Sequence, residues 1–302
     1  LTLADGSTRL ISFAEFDAMD GNAKQALWNS LYIDGVITGI FSVGANKKVK
    51  FSRGNLQYKA SSGTWRCAEH QYDVIGNAPG NNTKDGRSGQ TAWIDLFGWG
   101  TTGRNPYGQM PYSTEPDDTL YKTELYSSDS EVLTRENGAD WGVCVGPDWR
   151  TLSSDEWKYL ITEAARMEYS KPCVTKYIDG SITIENKSHF GVFIYPDNYN
   201  GAEISDGSMT WEQIKSAGIV FLPTNGGRWT DPWDPSTFFI ENVNDSCNYW
   251  SSTGFDSESA EYLFMPAMGG AARYTIAIDG RSAGLGVRLV QDVMLGGGQH
   301  QR

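Results

Sequence analysis

The sequence predicts an α+β domain of many short strands, two helices and long loops, preceded by a short helical N-terminal segment. Hydrophobic residues make up only 39% of the 302, while 34 glycines and 11 tryptophans stand out, a profile suited to large aromatic rings pinning a core between irregular loops. Short apolar runs recur along the chain between clusters of Gly, Pro, Asn and Ser. Beyond residue 39, two stretches carry helical spacing behind a capping residue. Short strands with two embedded helices define the α+β class.

At the N-terminus, Ser12 and Glu15 have capping-box spacing, and Asp20 is placed to cap a second stretch from Asn22 to Tyr32. Ala23, Ala26, Leu27, Ser30 and Leu31 mark one face of that stretch, with Phe13, Phe16 and Met19 nearby. Residues 1–38 are therefore expected to form a helical hairpin or bent helix for attachment or oligomerisation, which makes a homo-oligomer through these helices an expectation. After Asp34-Gly35 come strand candidates Ile40 to Val43, Lys48 to Ser52, Leu56 to Tyr58 and Thr64 to Cys67, with Ser61-Ser62-Gly63 as a turn. Gly76 to Gly89 and Asn105 to Ser130 are expected as long loops. Ser154-Asp155-Glu156-Trp157 opens the clearest helix, with Trp157, Leu160, Ile161 and Ala164 on one face. Thr210 caps a second helix within Met209 to Ala217. Further strand candidates are Gly191 to Tyr195, Ile219 to Leu222, Ala260 to Phe264, Arg273 to Ile278 and Gly286 to Val290. The main domain is set at 39–293, and 294–302, with Gly296-Gly297-Gly298, reads as a flexible tail.

A net charge of -12 and no basic run longer than Lys47-Lys48 argue against nucleic acid, which is bound through clustered Lys and Arg. No apolar stretch approaches the roughly 20 residues of a membrane helix, so no membrane insertion is expected. Cys67, Cys144, Cys173 and Cys247 lie far apart, unlike zinc ribbons or redox motifs; two disulfides and free buried thiols both remain open.

Three segments carry a family resemblance. Trp149-Arg150-Thr151-Leu152-Ser153-Ser154-Asp155-Glu156-Trp157 resembles a helix-start motif of the formylglycine-generating-enzyme superfamily. Tyr249-Trp250-Ser251-Ser252-Thr253 and Gly286-Val287-Arg288-Leu289-Val290 resemble the paired C-terminal motifs of its Fibrobacter succinogenes major paralogous domain branch. Phe51 to Tyr58, Trp65-Arg66 and Leu96 to Gly100 extend the similarity, which covers about residues 40 to 293. The resemblance implies a C-type-lectin-like fold with two small twisted sheets, a fold shared by enzymes, carbohydrate binders and the variable proteins of diversity-generating retroelements. It also implies a setting on a cell surface, in secretion or on a virion, where the partner is a protein or glycan.

The motifs also have a physical reading. Ser153 or Ser154 caps the helix, Glu156 sits in its positive first turn and Trp157 enters the core. Trp250 is expected buried, with the following hydroxyls satisfying backbone groups; Gly286 permits close approach, and Arg288 is expected to pair internally with a carboxylate or carbonyl. Between these frames, Gly254 to Leu285 strings Phe255, Glu258, Tyr262, Phe264, Met265, Met268, Arg273, Tyr274, Arg281 and Leu285 among Gly and Ala without one clean period. In the retroelement variable proteins the diversified segment lies here, so these side chains are the expected ligand-binding face, although strand alternation requires about half of those on strands to face a core.

No catalytic residue is assigned. The enzymatic branch implies a close pair of reactive cysteines, where this chain has Cys247 after Asn244-Asp245-Ser246, or a histidine cluster on iron, where His70, His189 and His300 stand apart. No cofactor is expected. For a structural calcium the weak candidates are Glu115-Pro116-Asp117-Asp118 and the loop oxygens of Asp197, Asn198 and Asn200. The expectation is a non-catalytic binding protein; the alternatives are a structural or adhesin subunit of a surface or phage assembly, and a divergent enzyme of formylglycine-generating type.

Overall fold

A computed structural model of the chain describes residues 15, 18, 19, 36–76, 81, 92–103, 132–163, 177–184, 187–201, 210–230, 238–266 and 274–293. In chain order the elements are β1 (Phe41–Gly44), β2 (Lys47–Phe51), β3 (Leu56–Lys59), β4 (Thr64–Cys67), β5 (Trp149–Thr151), α1 (Ser154–Lys158), β6 (Tyr177–Ile184), β7 (Lys187–Ile194), α2 (Trp211–Ser216), β8 (Val220–Pro223), β9 (Asn225–Thr230), β10 (Phe238–Val243), β11 (Ser246–Gly254), β12 (Ser259–Pro266), β13 (Thr275–Gly280) and β14 (Leu289–Asp292). Mostly small antiparallel sheets and few helices make the fold mixed, of α+β type.

Among the described residues the strands form five sheets, ordered β1-β2-β14-β5, β11-β12-β13, β6-β7-β8, β9-β10 and β3-β4, where two sheets were expected. Short strands and register breaks, between Ser42 and Gly44 and between Trp250 and Gly254, interrupt the ladders and divide the pairing. The last strand closes the fold by inserting between β2 and β5, with Val290 opposite both Phe51 and Arg150. Residues 36–38, placed by sequence in the N-terminal segment, already attach to this sheet, since Ile37 donates its N–H to Phe51 O at 2.8 Å. Glu15 and Ala18 are helical, while the rest of the expected N-terminal helices and the tail lie outside the described residues.

Both predicted helices form where their caps lie. Ser153 Oγ accepts Glu156 N–H at 3.2 Å, and Glu156 Oε2 accepts Ser153 N–H at 3.0 Å, closing a capping box. Thr210 and Gln213 repeat the device at α2. The first helix is shorter than its apolar spacing suggests, for α1 passes into a π turn over Tyr159–Glu163. Trp157, Leu160 and Ile161 are nonetheless all buried.

Two aromatic clusters meet across β11, whose alternating side chains feed both. Trp250 lies in the cluster of Trp65, Phe97, Trp99, Trp141 and Leu285, and Tyr249 in that of Phe41, Phe51, Trp157 and Leu263. Trp250 Nε1 donates to Phe97 O at 2.7 Å, and Ser251 Oγ donates to Glu261 O at 2.6 Å, so the expected hydroxyl satisfaction is present. A Cβ at Gly286 would stand 2.2 Å from Asn225 Nδ2, which explains the glycine where the closing segment crosses β11. Arg288 is fully buried, and side-chain amide carbonyls receive it: Nη1 donates to Asn55 Oδ1 at 3.2 Å and Nη2 to Gln71 Oε1 at 2.9 Å. Burial pulls its pKa down to about 10. Cys67, Cys144 and Cys247 are free, buried thiols; Cys173 lies outside the described residues.

Candidate functional site

The sheet β11-β12-β13 and its adjoining turns carry most of the residues expected to bind, with Tyr262, Phe264 and Met265 on the strands themselves. Its pairing places Tyr262 opposite Trp250 and Ala277, and Leu263 opposite Tyr249 and Ile276. Residues opposite one another share a face, so Cys247, Tyr249, Leu263, Met265 and Ile276 point into the second cluster, and Trp250, Ala260, Tyr262, Phe264 and Ala277 lie on the first. The inner strands are covered on both faces; exposure concentrates on β13 and on the turn after β11.

This geometry sorts the ten sequence-derived candidates. Phe255 is 48% exposed and Glu258 is exposed, both in the turn between β11 and β12. Phe264 is half-buried at the margin of the first cluster, and Tyr274 half-buried against the second. Four others have no surface to present. Leu285 is fully buried, pairing its backbone with Phe97; Met265 is 1% exposed because its strand position faces the second cluster. Tyr262 is 8% exposed and meets Trp250 edge-on at 5.9 Å, and burial pushes its phenol up to about 12, with the charge of Asp279 adding to the shift. Arg281 is 1% exposed: its guanidinium lies 4.6 Å over Trp99, Nε donates to Ser259 O at 3.2 Å and Nη2 donates to Asp256 O. It is a clamp on the 255–259 turn rather than a display residue, because each of those bonds draws it inward. Met268 and Arg273 lie outside the described residues.

Residues not foreseen from sequence complete a contiguous face. Trp229 on β9 is half-buried against the first cluster, stacks with Phe239 at 6.3 Å and donates Nε1–H to Asp279 Oδ2 at 2.7 Å. Asp279 and Ala277 share a side of β13 with the exposed Thr275, which lies opposite Phe264. Phe239, Trp229, Asp279, Ala277, Thr275 and Phe264 thus form a row of half-open aromatics, one small residue and two polar groups. The strand from Arg273 to Ile278 was legible, though not that Thr275, Ala277 and Asp279 form its outer side; the contribution of Trp229 was not, because an Asn-Gly-Gly stretch gives no strand signal.

Cys247 donates its thiol to Leu222 O at 3.2 Å inside the core. His70 and His189, separate in sequence, meet either side of Tyr72, with ring centroids 4.9 and 4.8 Å away. The carboxylate of Asp197 accepts Ser42 N–H at 2.9 Å and Ser42 Oγ–H at 2.6 Å, and pairs with Lys48 Nζ at 3.2 Å, so it ties the loop to β1 and β2. Residues 115–118 lie outside the described residues, and among the described ones no three His, Cys, Asp or Glu side chains gather as a metal site. No helix among them is long and apolar enough to cross a membrane. No family model, curated protein or solved structure matches this chain.

Proposed function

We propose that the chain is a non-catalytic recognition module with a C-type-lectin-like fold, displayed on a cell surface or phage particle, which contacts a protein or glycan through the outer β12-β13 face. The carrying observation is the row of half-open Phe239 and Trp229 on the β9-β10 pair with Phe264, Asp279 and Thr275 on the neighbouring β12-β13 strands. Aromatic groups backed by a rigid core give contact area at low conformational cost, and a carboxylate held by an indole N–H supplies orientation. Phe255 and Glu258 extend the same segment.

The reading is tested by applying labelled protein to a glycan array and a panel of cells. Phe264→Ala and Thr275→Arg are each expected to weaken binding by on the order of tenfold or more, with the fold retained. Binding unchanged in both variants sinks the reading. If the segment is diversified, a near-copy of the coding region for Gly254 to Leu285 stands beside a reverse transcriptase gene. Its adenine-type differences are then expected at the codons of Phe255, Glu258, Phe264 and Thr275, sparing Met265, Arg281 and Leu285.

A further inference from the structure

A cleft of about 440 Å3 opens between β3, β4, residues 71–76, β7 and the β10-β11 turn, within the size range of small-molecule sites. It uses none of the β12-β13 face. Gln57 lines it and is only 3% exposed. Its side-chain oxygen accepts Arg66 Nε–H at 2.8 Å, which fixes the amide orientation, and its NH2 group has no partner among the described residues. That NH2 group is a donor that a ligand oxygen in the cleft can accept from.

The remaining walls are held rigidly. Arg66 lies 3.7 Å over Trp93, adding a fixed positive charge. Tyr72 is packed between His70, His189 and Trp211 at 4.9, 4.8 and 5.0 Å. Asp73 accepts His70 N–H at 2.8 Å, which holds its carboxylate at the rim. Burial, then the nearby Lys187, lowers the pKa of His189, so the ring is neutral near pH 7 with one nitrogen a donor and the other an acceptor. Asn244 is exposed at φ 68, and its side-chain amide has no partner among the described residues. Lys187 is exposed and has no ion pair among them either, so it presents an ammonium to the cleft in a chain of net charge -12.

We propose that this cleft binds an acidic monosaccharide unit, its carboxylate drawn to Lys187 and its hydroxyls bonded by Gln57, His189 and Asn244. Hydroxyls are donor and acceptor at once and match a lining that offers both, whereas an apolar ligand finds few partners here. The ammonium of Lys187 selects an acid over a neutral sugar.

The full chain is titrated calorimetrically with D-glucuronate, D-galacturonate and N-acetylneuraminate, with D-glucose, acetate and inorganic phosphate as controls. At least one acidic sugar is expected to saturate, binding on the order of tenfold tighter than each control. Lys187→Ala and Asn244→Gly are each expected to weaken it roughly fivefold or more. Both keep the fold, since Lys187 is exposed and φ 68 suits glycine. Phe264→Ala leaves this titration unchanged, which separates the cleft from the β12-β13 face. The proposal is overturned if no acidic sugar saturates, if any control binds as tightly, or if both variants bind like the parent chain.

Discussion

Tyr262 and Phe264 stand two positions apart on one strand face, and burial separates their roles. Tyr262 is 8% exposed and packed edge-on against Trp250, so Tyr262→Ala is expected to cost about 3 kcal/mol through the cavity it leaves. Phe264 is already half-open, and Phe264→Ala is expected to cost about 1 kcal/mol. Urea denaturation of both variants checks the ordering; equal costs would count against the assignment of Tyr262 to the core. Asp95 gives a second residue-scale prediction. Its carboxylate is fully buried, accepts Ile75 N–H at 2.9 Å and Asn81 Nδ2–H at 2.7 Å, and burial pushes its pKa up to about 6 from 3.8. A carboxylic acid whose folded pKa is raised binds a proton that the unfolded chain has already lost. Its contribution to stability therefore rises as pH falls from about 7 to 4. The melting temperature of the parent chain, measured relative to Asp95→Asn, is expected to climb across that interval, and a flat difference contradicts the proton assignment.

At the scale of elements, α1 is only five residues long and relies on what surrounds its ends. Its capping glutamate does double duty: Glu156 Oε2 accepts Ser153 N–H at 3.0 Å and Arg150 Nη1–H at 2.7 Å, while Arg150 Nη2 reaches Asp292 at 2.7 Å. The segment from Trp149 to Trp157 thus joins β5 and α1 to the closing strand β14. Ser153→Ala is expected to lose about 1 kcal/mol, read from the denaturation midpoint at unchanged slope. A loss below experimental error would mean that tertiary packing alone holds the helix start. The three-stranded sheet is divided differently. Strands β11 and β12 have little freedom to vary because both faces pack, whereas β13 forms one edge and pairs on one side only.

For the whole molecule, the caps, the turn at Gly63 and the strands from β1 to β4 were legible in the sequence, since each rests on contacts within a few residues. Strands β5, β6, β9, β10 and β11 were not recognised as strands. Gly226 and Gly227 weaken the local signal at β9, and Tyr249 and Trp250 face different clusters, which removes the polar-apolar alternation that marks a half-buried strand. For the same reason the pattern required about half of the bulky strand residues between Gly254 and Leu285 to face a core without deciding which. Composition and pattern by themselves determined the α+β class, the aromatic core and the two capped helices, while the resemblance of their motifs marked Trp250, Gly286 and Arg288 as frame. Only the tertiary structure decided that Met265, Arg281 and Leu285 are interior, that Trp229 and Asp279 join Phe264, and that His70 and His189 flank Tyr72. Local propensity is set by neighbours in the chain. Exposure and shared sites are set by segments tens to hundreds of residues away, whose pairing register no short window contains.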